Sequence, residues 1–303
     1  MARKSVVAVL GILLCCGILV IPATTGFSKS SKSSSARGKH SKVQTLRTPQ
    51  KLVLRSDSAL VVDQRTGERL FEKKAEDVSP IASITKLMTA MIVLDAQLNL
   101  QEALTIERED VDMLRHSRSR LPVGSRLTRG DAMLLALMAS ENRAAHALGR
   151  TYPGGLDAFV TAMNAKAQSL GLGKTRFVDP SGISSGNVST AQDLARMVDA
   201  AYHYRLVREF STRKETTIHT GRRTLTFCNS NRLIRSSRWK IGLSKTGFID
   251  EAGRCLVMQA HVAKRPVLIV LLDSQGKLTR YGDANRIKQW MEGSSKARRK
   301  QKG

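Results

Sequence analysis

Residues 79–97, SPIASITKLMTAMIVLDAQ, read as an apolar helix whose first turn carries two hydroxyls and a lysine. A serine near a helix start can satisfy a free backbone N–H, and Pro80 suits the position just upstream, so capping is one reading of Ser83. Capping does not explain Lys86. Residues three apart share a helix face, so Ser83 and Lys86 stand one above the other, close enough for an amine to take a hydroxyl proton. The spacing alone proves little, because Ser-x-x-Lys recurs at Ser211/Lys214, Ser237/Lys240 and Ser274/Lys277. The rest of the chain has to decide.

The chain has 303 residues, 41% hydrophobic and 25% charged, enough for one good core or two small ones. Its start is set apart. Arg3 and Lys4 precede an unbroken apolar run from Val6 to Ala23, followed by the polar TTGFSKSSKSSS, the layout of a secretory signal. The reading is a signal peptide over 1–26, cleaved on export, with a retained membrane anchor as the alternative. Cys15 and Cys16 would leave with it, and no small-residue pair precedes either to favour a lipoprotein. Cys228 and Cys255 remain, as a disulfide or as two buried free thiols.

The net charge is +25, unevenly spread. Residues 27–51 hold seven basic residues and 294–303 five, with no acids in either, and both are expected to be disordered. The body, 52–293, carries 36 basic and 25 acidic residues, a net of +11. A basic exported protein suits an anionic partner such as cell-wall polymer or membrane headgroups. Export and only 4% aromatics argue against nucleic acid. No His-x-x-x-His pair or clustered carboxylate spacing suggests a metal, and no cofactor is implied.

Two alternating runs around Thr66-Gly67 predict a β-hairpin. From Leu87 to about Arg208 the period is mainly helical. It then changes: ETTIHTGRRTLTF, KIGLSKTGF, GRCLVMQAHVA and PVLIVLLDS read as strands, and a last helix is predicted from about Gly282 to Trp290. Hairpin, helical block and strand meander together predict an α+β fold, an antiparallel sheet packed with helices beside a mainly helical subdomain.

Serine–lysine chemistry needs a partner to pass the proton on and donors for the tetrahedral oxyanion. MASENRAA supplies Ser140-Glu141-Asn142 where an apolar helical run turns polar, and LSKTGF supplies Lys245-Thr246-Gly247 on a strand. Ser-x-x-Lys, Ser-x-Asn and Lys-Thr-Gly in this order resemble the three motifs of penicillin-binding proteins and serine β-lactamases. From Ala59 to Trp290 the chain is similar to the low-molecular-mass D-alanyl-D-alanine peptidases, in PIASITKLMTAM, MNAKAQSLGLGKTRFVDPSGIS and NVSTAQDLA, and most of all to their endopeptidase branch.

The resemblance implies a serine β-lactamase/DD-peptidase-like catalytic domain over 52–293 and a role for each matched residue. Ser83 would form the acyl-enzyme. Lys86 would activate it, its pKa lowered by burial and a neighbouring cation. Ser140 would relay the proton to the leaving amine, and Asn142 would steady Lys86 and the substrate amide. Lys245 would direct positive charge toward Ser140 and the substrate carboxylate, with the Thr246 hydroxyl beside it. The oxyanion donors would be the backbone N–H groups of Ser83 and Phe248, and Gly247 would let its strand lie against substrate.

The implied partners are cross-linked peptidoglycan peptides and, as covalent inhibitors, β-lactam antibiotics; the implied location is the periplasm. A β-lactamase would need a deacylating base, commonly Glu with Asn four residues on, between the second and third motifs. Glu209 and Glu215 are the only glutamates from Arg143 to Ser244, and Arg213 and His219 stand at that distance. A non-catalytic wall-binding protein would not need Ser83, Lys86 and Ser140 intact. Carboxypeptidases of the family usually add a β-rich domain and an anchor, and the 56 residues after Gly247 leave room for neither, which favours an endopeptidase without a stable membrane tether. A carboxypeptidase remains the alternative.

Overall fold

A computed structural model describes residues 51–221 and 223–300. The signal reading over 1–26, nearly all of the basic segment 27–51, and residues 301–303 lie outside the described residues.

The chain opens with the predicted hairpin, β1 (Ser58–Asp63) and β2 (Arg69–Lys73). Its turn is tied by Asp63 Oδ1, which accepts the N–H groups of Arg65 at 2.9 Å and Thr66 at 3.1 Å, and Gly67 takes a positive φ. A two-residue strand β3 (Ser79–Pro80) and one 3-10 turn (Ala82–Thr85) lead into α1 (Lys86–Asp95). The helix thus starts at Lys86: Ala82, at φ 46°, lies outside the right-handed helical region, and the turn after it closes with tighter bonds such as that from the Lys86 N–H to Ser83 O. No side chain caps either the turn or α1, so Ser83 is not there for capping.

A ribbon of β4 (Ala103–Thr105) and β5 (Arg126–Thr128) precedes the helical block of α2 (Arg129–Met138), α3 (Asn142–Arg150) and α4 (Gly155–Ser169). After β6 (Val188–Ser189), which pairs with β3, come α5 (Ala191–Tyr202) and α6 (Arg205–Thr212). Thr128 and Thr190 cap α2 and α5 by accepting from the N–H groups of Asp131 and Asp193. A hairpin of β7 (Glu215–His219) and β8 (Thr224–Cys228) leads to the long strands β9 (Lys240–Ile249), β10 (Gly253–Val262) and β11 (Arg265–Ser274), and α7 (Thr279–Lys300) follows.

The main sheet is antiparallel in the order β2-β1-β11-β10-β9. Its central strands β1, β11 and β10 are nearly continuous apolar runs because helices cover both faces. Alternate residues go to opposite cores. Leu60, Val257, Leu268, Val270 and Leu272 join the core under α1–α6, while Ala59, Val61, Leu256, Met258, Val267, Ile269 and Leu271 join one with Trp239, Tyr281, Ile287 and Met291. Strand β9 stands at the sheet edge, beside the 3-10 turn.

Two expectations are corrected. Helix α7 begins three residues before Gly282 and runs to Lys300, well past the predicted end near Trp290. Ala, Arg and Lys are good helix formers, and a helix already nucleated by packed turns extends through them at little cost. The two remaining cysteines are free thiols, Cys255 buried but Cys228 exposed, so they are neither a bridge nor a buried pair.

Candidate active site

The 3-10 turn presents Ser83 at the surface of the core and places fully buried Lys86 below it. Lys86 Nζ donates to Ser83 Oγ at 2.7 Å, Asn142 Oδ1 at 2.7 Å and Ser181 O at 2.6 Å. Three acceptors match the three hydrogens of an ammonium. Burial nonetheless lowers the pKa of Lys86 to about 7, against the opposing pull of Asp179 and Glu141. Burial is the leading cause, and the neighbouring Lys245 amine works in the same direction, since each of the two charges opposes the other. Near neutrality a neutral amine therefore lies within hydrogen-bond reach of a hydroxyl, the arrangement a general base requires.

Ser140 ends the run that begins with α2. Its φ of 62° is left-handed, and the N–H groups of both Ala139 and Glu141 return to Leu135 O, so the chain reverses sharply before α3. That reversal sends Ser140 toward β9, where its Oγ accepts from Lys245 Nζ at 2.7 Å. Lys245 is also fully buried, and its Nζ donates to Thr246 O at 2.9 Å. Burial first, then the charges of Lys86 and Arg280, hold its pKa well below the ordinary lysine value. Thr246 Oγ1 donates to Ser230 Oγ at 2.8 Å. Two amine–hydroxyl pairs, Lys86–Ser83 and Lys245–Ser140, thus come together, with Asn142 hydrogen-bonded to the first.

The backbone around Ser83 leaves no room for side chains. A methyl group on Gly247 would lie 3.0 Å from Ile81 O and 3.2 Å from the Ser83 nitrogen, so β9 passes directly beside that amide. On the other side Gly182, at φ 77°, is closer still: a methyl there would fall 2.0 Å from Ala82 O and 2.9 Å from the Ser83 nitrogen. Left-handed Ala82 immediately precedes the serine, and such a conformation persists only where its surroundings enforce it. Phe248 is 48% exposed, with the Arg254 guanidinium 4.2 Å above its ring.

The residues that enforce this geometry were missed in the sequence reading. Asp179 Oδ1 accepts the N–H groups of Ser181 and Gly182, each at 2.6 Å, shaping the loop that offers Ser181 O to Lys86. Asn187 takes the Val178 N–H at 2.8 Å and donates to Thr85 Oγ1 at 3.0 Å, and Thr85 Oγ1 donates to Ala82 O at 2.8 Å. The loop and the serine turn are therefore one hydrogen-bonded unit. Asp-Pro-Ser-Gly is a turn signal, so the loop was detectable, though not its partner. Arg280, buried and donating to Gly247 O at 2.8 Å and Cys255 O at 3.0 Å, carried no sequence signal. Among the described residues no three His, Cys, Asp or Glu side chains gather as a metal site.

The family model described as D-alanyl-D-alanine carboxypeptidase matches residues 44–276. The D-alanyl-D-alanine endopeptidase of Pseudomonas aeruginosa is 51% identical over 241 residues, covering 79% of this chain and 78% of that protein. The enzyme of the same name from Escherichia coli K12 is 46% identical, covering 78% and 77%. Among solved structures, the Streptomyces K15 DD-transpeptidase matches with a TM-score of 0.73 at 29% identity, over 78% of this chain and 97% of that one. Penicillin-binding protein D2 from Listeria monocytogenes, in its cefotaxime-bound form, matches with a TM-score of 0.70 at 30% identity, over 79% and 98%.

Proposed function

This chain belongs to the D-alanyl-D-alanine carboxypeptidase family, and from that membership we propose that it is a serine DD-endopeptidase opening D-alanyl–diaminopimelate cross-links of peptidoglycan. The observation that carries the reading is the contact between Ser83 Oγ and the buried, low-pKa amine of Lys86. Ser83 Oγ attacks the D-alanine carbonyl while Lys86 takes its proton. The N–H groups of Ser83 and Phe248 receive the oxyanion, a role supported by the close passage of Gly247 beside the Ser83 amide. Ser140, held by Lys245, hands a proton to the departing amine, and Lys245 and Thr246 face the carboxylate on the leaving side. Water then releases the acyl group by the reverse sequence. A β-lactam enters by the same acylation.

The preference for cross-links rests on the two relatives named endopeptidases. Glu209 and Glu215 supply no second base: Glu209 lies on α6 in an exposed pair with Arg213, and Glu215 on the exposed hairpin. We further read residues 1–26 as an export signal to the periplasm and 52–293 as the catalytic domain. Among the described residues no helix is long and apolar enough to cross a membrane. The test is turnover of purified muropeptides: cross-linked dimers are expected to be cleaved faster than D-alanine is released from monomeric pentapeptides. The opposite order makes the protein a carboxypeptidase.

A further inference from the structure

The segment between β4 and β5 reaches the site from outside. Asp112 shapes it: Oδ1 accepts the N–H groups of Leu114 at 3.0 Å and Arg115 at 2.9 Å, and Oδ2 that of Ser117 at 3.0 Å. Ser117 Oγ accepts from Asn142 Nδ2 at 2.9 Å, on the same amide whose oxygen holds Lys86. Arg115 Nε donates to Ile183 O at 2.6 Å, one residue beyond the glycine packed on the Ser83 amide. Its NH2 meets Glu251 Oε1 at 2.7 Å, and Glu251 lies just past the end of β9, three residues after Phe248. The Arg115–Glu251 pair therefore ties this segment to the turn after β9, on the far side of Phe248 from Lys245 and Thr246 along the chain.

We propose that Arg115 and Glu251 form a subsite for the zwitterionic side-chain end, ammonium and carboxylate on one carbon, of the diamino acid that precedes D-alanine in the acyl-donor peptide. The proposal rests on the peptidase reading above. A peptide laid along β9 with its leaving side at Lys245–Thr246 runs its acyl side past Phe248 toward Glu251. Half-exposed Phe248, steadied by Arg254, offers an apolar floor to the methylenes of such a side chain. The pair beyond it is open to solvent, with side chains 21% and 48% exposed, and an exposed ion pair contributes little on its own. A ligand bearing both charges replaces one weak pair with two charge-assisted contacts, whereas a neutral end gains neither. Arg115 can turn toward a carboxylate without leaving its place, because Nε stays on Ile183 O while other guanidinium hydrogens are free to donate.

The test uses two cross-linked dimers that differ only in the donor residue before D-alanine, diaminopimelate in one and acetyl-lysine in the other. The unaltered protein is expected to favour the diaminopimelate dimer by about tenfold or more in kcat/KM, chiefly through KM. Arg115→Gln and Glu251→Gln should each bring the preference close to one, and Arg115→Lys should retain part of it. Glu251→Gln guards against misfolding, since this carboxylate touches the loop only through Arg115. A preference unchanged in both variants, or both dimers slowing in step, would overturn the subsite and leave the loop a mere brace for Asn142. Equal cleavage of both dimers by the unaltered protein would do the same. Penicillin acylation without cleavage of either dimer would instead sink the peptidase reading, and the subsite with it.

Discussion

Lys86 loses its proton near neutrality because the fold buries its amine, and neutral amine is the form that can accept the Ser83 proton. Acylation by a penicillin should therefore rise with pH through a limb centred at about 7 and level off above it. Lys86→Arg keeps the charge but cannot give it up, so stopped-flow acylation should fall by about 10²–10⁴ and lose that limb. A rate that stays pH-independent in the unaltered protein would exclude Lys86 as the base. At this scale the sequence was most informative where a motif fixed residue type and spacing together, as in Ser83, Lys86, Ser140, Asn142 and Lys245. It was silent where a role depends on a distant partner. Asn187 and Thr85 are 102 residues apart and Arg280 and Gly247 are 33 apart, and no local pattern records either bond.

Strand β9 is the element on which the site depends, because it lies at the sheet edge and passes within touching distance of the serine turn. An edge strand tolerates proline where its N–H faces away from the sheet, so Phe248→Pro separates the proposed oxyanion donor from the fold. Acylation should drop by about 10²–10³, as for loss of one such donor, while thermal unfolding stays near that of the unaltered protein. Unfolding well below it would mean that this N–H serves the sheet instead. The long strands were legible as apolar runs between turns, and the hairpin was legible in its turn chemistry. The start of α1 was not, because the left-handed Ala82 before it sits against Gly182 and Gly247, which come from other elements. The reach of α7 was hidden for a different reason, since a basic helix and a basic coil have the same composition.

Over the whole molecule, β1 near the start pairs with β11 near the end, so the sheet forms only when distant parts of the chain meet. The body it organises carries a net charge of +11 within a chain of +25, which is the basis for attraction to carboxylate-rich wall polymer. Pelleting with purified sacculi should weaken steadily as salt is raised over the range where screening shortens from about 10 Å to about 3 Å. Salt-independent pelleting would remove the electrostatic account of attachment. The covalent chemistry is tested most directly by peptide mapping after labelling with a tagged penicillin. The expected result is a single adduct on the peptide containing Ser83, absent from Ser83→Ala. An adduct on any other residue, or labelling that persists in Ser83→Ala, would contradict the assignment of Ser83 as the nucleophile.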